Sequence, residues 1–248
     1  MELWLVDLDA AAPALEALER EVPRLSADDH ERAKRLSDSR AQQLRLTTYV
    51  ALRVVLERAA GPALRGQSFI RSARGKPRLA GDGPAFSFSH TERLALIGVA
   101  GLPSIGVDLE ESRSLAMSPR RREEILAVGS GLSGRLAGHA DSHAPVLQAW
   151  CRLEAYAKAR GLGVSRVLTE LGLREARGRQ LATGDIEAGS RQLANQAGLA
   201  VHDVELPAGL HGAVACAGSV PAPPLRRFPT DVADIARLLA PARAGAPR

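Results

Sequence analysis

The chain has 248 residues, 45% of them apolar, 25% charged and 3% aromatic, enough for one sizeable domain or two small ones and unlike a disordered, collagen-like or coiled-coil chain. Its net charge of +5 raises nucleic acid as a partner, but residues 221–248 hold five arginines against two aspartates and leave the remainder nearly neutral. So few aromatic side chains also argue against a base-stacking surface.

Residues 1–9 alternate like a half-buried strand. Helical spacing follows over 11–21; Ser26 then caps a predicted helix over 27–36, and residues 40–60 form a longer amphipathic one stopped by Gly61-Pro62. A strand is expected at 67–71, followed by short strands at 85–89, 94–100 and 105–110 between turn residues. Helices are expected at 119–128 and 145–160, joined by a Gly/Ser-rich connection over 129–142. Strands at 200–206 and 212–217 come next, and the run Ala213 to Ala217 echoes Leu96 to Ala100. Residues 221–248 are predicted to be a largely peripheral Pro/Ala/Arg-rich tail with one helical stretch at 230–239.

Cys151 and Cys216 form no paired motif, and no window holds 18 uninterrupted apolar residues, so a cytoplasmic protein without membrane segments is expected. Lysine occurs only at positions 34, 76 and 158 among 33 basic residues. In a chain that otherwise writes positive charge as arginine, each lysine is a candidate for a site needing a compact ammonium.

Asp108 and Glu110 stand two apart at a strand end, which sends both carboxylates to one face. They suit a shared hard cation such as Mg²⁺, although a solvated strand end is the commoner meaning of such a pair. Glu154 and Lys158 share a helix face four residues apart, where a plain intrahelical ion pair is the ordinary reading. Lys76 sits in the tight turn Gly75-Lys76-Pro77, and Ser89 and His90 end a short strand with groups that donate hydrogen bonds to phosphate. No nucleophile elbow or histidine motif supports a hydrolase triad.

These pieces run in the order GKPRL (75–79), FSFSHTE (86–92), IGVDLEE (105–111) and WCRLEAYAKARGLG (150–163), and that order resembles the 4′-phosphopantetheinyl transferase superfamily, in its longer pseudodimeric form. The resemblance implies an α/β (α+β) fold of two similar subdomains related by a pseudo-twofold, 1–104 and 105–220, with coenzyme A between them. It also implies a transferase that moves phosphopantetheine to a serine of an acyl or peptidyl carrier protein and releases adenosine 3′,5′-bisphosphate. Asp108, Glu110 and Glu154 would hold Mg²⁺, Lys158 would contact the α-phosphate, and Lys76, Ser89 and His90 would bind nucleotide phosphate, His90 near the 3′-phosphate. Glu154 would serve as ligand, base or both. A monomer is expected, since one chain already supplies both halves of the cleft.

The sequence departs from the family pattern at Leu153, where a lysine is usual, and at Leu44, where an arginine is usual and Arg45 or Arg40 is the substitute. Arg32, Lys34 and Arg35 stand where further phosphate contacts are expected, and the 129–142 segment leaves carrier recognition open. A coenzyme A- or carrier-binding homologue without turnover is the alternative, with an arginine-rich nucleic-acid module ranked last.

Overall fold

The structure, a computed structural model, describes residues 1–101, 104–136, 141–173, 182–218 and 221–240. It is a mixed α/β protein. Strand β1 (Glu2–Asp7) runs directly into helix α1 (Leu8–Glu21), because the Asp7 carboxylate accepts from Ala10 N at 3.1 Å and caps the first turn. Helix α2 (Ala27–Lys34) begins at Ser26 with a reciprocal capping box to Asp29, and α3 (Ser39–Ala60) buries its later turns under the first sheet. The strand expected at 67–71 shrinks to β2 (Ile70–Arg71), paired with β3 (Pro77–Arg78) in a small hairpin. The hairpin formed by β4 (Ala85–His90) and β5 (Leu94–Ala100) completes the N-terminal part.

Strand β6 (Ile105–Glu111) opens the second part, followed by α4 (Pro119–Ser133), α5 (His143–Ala159), α6 (Val164–Glu170) and α7 (Thr183–Gln196). Strands β7 (Leu199–Asp203) and β8 (Leu210–Ala217) pair as an antiparallel hairpin. Helix α4 extends five residues past its expected end, into the segment read as a loop. Gly129 and Gly131 explain this: a Cβ at Gly129 would lie 2.6 Å from Ala149 Cα of α5, and one at Gly131 would overlap Glu187 O of α7. These glycines serve close helix packing. Residues 137–140 of the expected connection lie outside the described residues.

The two larger sheets have strand orders β4-β5-β1-β9 and β6-β8-β7. In each, one strand enters first, helices follow, and the second strand of a closing hairpin takes the centre, antiparallel to both neighbours. The echoing runs at 96–100 and 213–217 lie on those two central strands, β5 and β8. Between the sheets, Leu3, Leu5, Leu96, Ile105, Val107, Leu109 and Val214 form a shared apolar layer, while α3 and α5 cover the outer faces. The joint is also polar, since Val107 N donates to Ser87 Oγ at 3.1 Å.

The C-terminal segment is more than peripheral. Strand β9 (Leu225–Arg227) adds in parallel to β1, Phe228 is buried against Trp4 with ring centroids 6.3 Å apart, and α8 (Val232–Leu239) buries Ile235 against the N-terminal core. Composition drew attention to the prolines and arginines there; the apolar residues between them decide the packing. Residues 241–248 lie outside the described residues. No helix among the described residues is long and apolar enough to cross a membrane.

Candidate functional site

The site begins with the period of β6. Val107 and Leu109 point into the layer between the sheets, so Asp108 and Glu110 point the other way, toward α5. Helix α5 comes unusually close because position 106 is glycine: a Cβ there would overlap Ala155 O and Ala159 N. Ala155 and Ala159 are small for the same reason. This approach carries Glu154 and Lys158, one residue before each contact point, to the carboxylates of β6.

Lys158 turns across to the strand rather than back along its own helix. Its Nζ donates to Asp108 Oδ1 at 2.6 Å and to Val107 O at 3.2 Å, in place of the Glu154–Lys158 pair that the spacing offers. Ser89 Oγ of β4 donates to the same Asp108 oxygen at 2.9 Å, so both sheets and α5 meet at this carboxylate. Asp108 is 4% exposed, and its other oxygen, Oδ2, is buried with no hydrogen-bond partner among the described residues. Burial holds the Glu154 carboxyl above its ordinary range; Lys158 opposes this, and the charges of Asp108 and Glu110 add to it. Glu110 is less enclosed and pairs with Arg113 at 3.3 Å. The Cys151 thiol, one turn before Glu154, donates to His211 O at 3.4 Å, and burial beside Asp108 and Glu110 keeps it protonated.

Beside this carboxylate cluster lies a cleft of about 310 Å³. Its lining includes Arg32 from α2, Arg45 and Tyr49 from α3, Arg71, Arg74 and Lys76 from the β2–β3 hairpin, and Lys158 from α5, with no acidic side chain among the described residues. Lys76 is held in place by donating to Ile105 O at 3.0 Å and to Lys158 O, which ties the hairpin to β6 and α5. Burial, with the neighbouring Lys158 charge, lowers the Lys76 pKa to about 8. Two polar groups of Arg71 and the Arg45 Nε are buried without hydrogen-bond partners among the described residues. A cavity lined by six cations and by the rings of Tyr49, Phe86 and Phe88 is built for a multiply charged anion with an apolar portion.

The expected site residues therefore divide. Arg45, Lys76 and Lys158 line the cleft; Asp108 adjoins it through Lys158, and Ser89 through Asp108; Glu110 and Glu154 are outside that lining, with Lys158, Asp108 and Glu110 near enough to act on the Glu154 charge. His90 is largely enclosed, its Nδ1 3.1 Å from Thr91 O, and burial together with the Arg45 and Lys158 charges holds it toward the neutral form. Of the substitutes for the displaced arginine, Arg45 lines the cleft, whereas Leu44 packs against the N-terminal core. Leu153 is fully buried in the C-terminal core. Sequence reasoning missed Arg71 and Arg74, although RSARGKPR places them within five residues of Lys76 at one turn. Abundant arginine elsewhere masked that local clustering.

Among the described residues no group of three or more His, Cys, Asp or Glu side chains closes into a metal-holding set. The fit to a cation rests instead on the unpartnered Asp108 Oδ2 and on Glu154, whose ionised form is disfavoured by burial and the nearby carboxylates. A divalent ion would satisfy the first and relieve the second, with Asp108, Glu110 and Glu154 as oxygen donors. Compared with known proteins, the chain matches no family model and no curated protein.

Proposed function

We propose that the chain is a Mg²⁺-dependent 4′-phosphopantetheinyl transferase acting on coenzyme A and a serine of an acyl or peptidyl carrier protein. The observation that carries this reading is the adjacency of a six-cation cleft to the buried Asp108 carboxylate and the partly buried Glu110 and Glu154, bridged by the pair Lys158–Asp108. The motif order of the sequence agrees with it. The common strand order of the two halves supports a pseudo-twofold arrangement of 1–104 and 105–220. A monomer working in the cytoplasm completes the proposal.

In this reading the cations of the cleft bind the nucleotide phosphates, and Lys158 neutralises charge on the oxygen nearest the reacting phosphorus. The bound Mg²⁺, held by Asp108, Glu110 and Glu154, would supply charge neutralisation at the pyrophosphate. The serine Oγ forms its new bond to the phosphorus carrying the pantetheine arm, the pyrophosphate bridge breaks, and adenosine 3′,5′-bisphosphate leaves. Glu154 takes the serine proton, directly or through a water. Positioning does most of the work, because phosphoryl transfer needs little covalent help from protein.

The test is to incubate the protein with coenzyme A, Mg²⁺ and several apo-carriers and to follow carrier mass. Addition of the phosphopantetheine mass that disappears in Asp108→Ala is expected; no addition on any carrier by a folded, coenzyme A-binding protein rejects transfer. A second reading, binding without turnover, draws on Leu153, whose burial leaves no lysine ammonium from that position beside Glu154. Stoichiometric coenzyme A binding without carrier modification selects it.

A further inference from the structure

Four of the six cleft cations come from two walls that are separate in sequence: α2, which carries Arg32, and the β2–β3 hairpin, which carries Arg71, Arg74 and Lys76. Neither wall is well anchored by its own apolar content. Helix α2 buries only Asp29 and Ala33, and β2 is two residues long. Lys76 ties the hairpin to β6 and α5, but not to α2.

We infer that Arg53, a buried residue of α3 outside the cleft lining, is the positioning residue that fixes both cation-bearing walls. Its side chain is 4% exposed. Toward α2, Nε donates to Asp29 Oδ2 at 2.7 Å and Nη2 to Ser26 Oγ at 3.2 Å, so the guanidinium grips both members of the capping box. That same Asp29 oxygen accepts from Ser26 N and Oγ, each at 3.0 Å. Toward the hairpin, Nη2 donates to Gln67 O at 2.8 Å and Nη1 to Leu64 O at 3.4 Å. The guanidinium also stacks 4.4 Å from the centroid of Phe69, two residues before Arg71. Phe69 in turn packs on Phe86, itself a lining residue, at 4.9 Å. The walls meet again at Asp28, whose carboxylate is 3.0 Å from Arg32 Nε and 3.9 Å from Arg71 Nε.

A planar fork with five donors can hold a carboxylate, two carbonyls and a ring face together; an ammonium cannot. Arg53 therefore acts on the anion only through Arg32 and the hairpin cations. Spacing cations before the ligand arrives lowers the cost of ordering them on binding.

This inference rests on the reading that the cleft receives the nucleotide of coenzyme A, and adenosine 3′,5′-bisphosphate is the probe. Titration calorimetry at a temperature where circular dichroism shows each variant folded is expected to give about tenfold weaker binding for Arg53→Lys and Asp29→Asn. The comparator is Arg24→Met. Arg24 is equally buried, at 2% exposure, but bonds Glu57 and Val22 O instead of the walls, so its loss should lower the melting temperature and leave affinity within about twofold. In an Arg32→Ala background, Arg53→Lys should cost less affinity than in the wild type, because part of its effect passes through Arg32. If Arg53→Lys does not fold, Asp29→Asn and Phe69→Leu each break one arm of the clamp and carry the same expectation. Unchanged affinity in the folded variants, or an equal loss in Arg24→Met, overturns the assignment. Failure of the wild type to bind the bisphosphate removes the cleft reading and this inference with it, whereas wild-type binding with unaffected variants removes this inference alone.

Discussion

Lys158 Nζ lies 2.6 Å from Asp108 Oδ1, joining helix α5 to strand β6 at the point where the two sheets meet. Asp108 is nearly inaccessible, while the lysine side chain is 29% exposed, so the partners are unequal. Removing the lysine leaves a buried carboxylate without a cationic partner, held by the Ser89 hydroxyl beside the like charge of Glu154. Removing the charge of Asp108 leaves an ammonium that reaches water. Lys158→Met is therefore expected to cost about 2–3 kcal/mol and Asp108→Asn less. The double variant should be more stable than the sum of the two losses predicts, by about 1 kcal/mol. Urea unfolding of the four proteins measures this, and additive losses would show that the pair is not coupled. Both single variants should lack carrier modification.

Gly106→Ala is the most damaging small substitution expected near the site. The added methyl would occupy the space of α5 backbone atoms, Ala155 O and Ala159 N, which have no side-chain freedom with which to yield. Helix α5 must lift from β6, separating Glu154 and Lys158 from Asp108. A loss of about 3 kcal/mol is expected, with transfer falling further than the folded fraction. Thermal melts and the carrier-mass assay on the same sample separate these effects. A variant of native stability would show that the helix shifts without cost.

Much of this arrangement was legible in the sequence because it follows local rules. The alternation of β6 predicts that Asp108 and Glu110 share a face, and the 94–100 strand matches its expected bounds. The partner of Lys158 was not legible. Spacing of four favours Glu154, and only the approach permitted at Gly106 brings Asp108 closer. Gly129 and Gly131 misled for the opposite reason: a glycine that admits a neighbouring helix has the same letter as one that opens a loop. Helix α2 starts where Ser26 predicts, yet its use of Asp29 to reach Arg53, 24 residues away, is a tertiary fact with no local signature.

Phe228 provides a direct check on the C-terminal segment. Its ring is 4% exposed against Trp4, and its N–H donates to Leu5 O at 2.9 Å, extending the β1–β9 pairing. Phe228→Ala is expected to cost about 3 kcal/mol, the scale of an aromatic deletion from a core. A peripheral residue would cost less than about 0.5 kcal/mol. Chemical denaturation decides between these, and bisphosphate affinity at low temperature should be unchanged.

Arg74 tests the cleft electrostatics without disturbing the core. It is exposed at the hairpin turn and forms no ion pair among the described residues. Arg74→Glu places an acid among the remaining cations, and adenosine 3′,5′-bisphosphate affinity should fall about tenfold at low ionic strength, with a melting temperature close to the wild type. Raising salt should narrow the difference as exposed charges are screened. A difference that persists at 1 M salt would indicate a contact other than charge.

Lys76 should make anion binding pH-dependent. Burial, with the Lys158 charge nearby, lowers its pKa from 10.5 to about 8. Between those values the unfolded chain holds the proton and the folded one does not, so this residue's contribution to stability rises with pH through that window. Anion binding has the opposite sign, because a phosphate beside Nζ favours the ammonium and must supply a proton above pH 8. The second ionisation of a phosphate monoester, near pH 6, is already complete there and does not confuse the measurement. Adenosine 3′,5′-bisphosphate affinity should therefore be nearly flat from about pH 7 to 8 and then weaken, approaching tenfold per unit. Lys76→Arg, which stays charged, should bind less well at pH 7 because the guanidinium does not fit the Ile105 and Lys158 carbonyls, but its profile should remain flat above pH 8. Parallel profiles for the two proteins would assign the titration to another group.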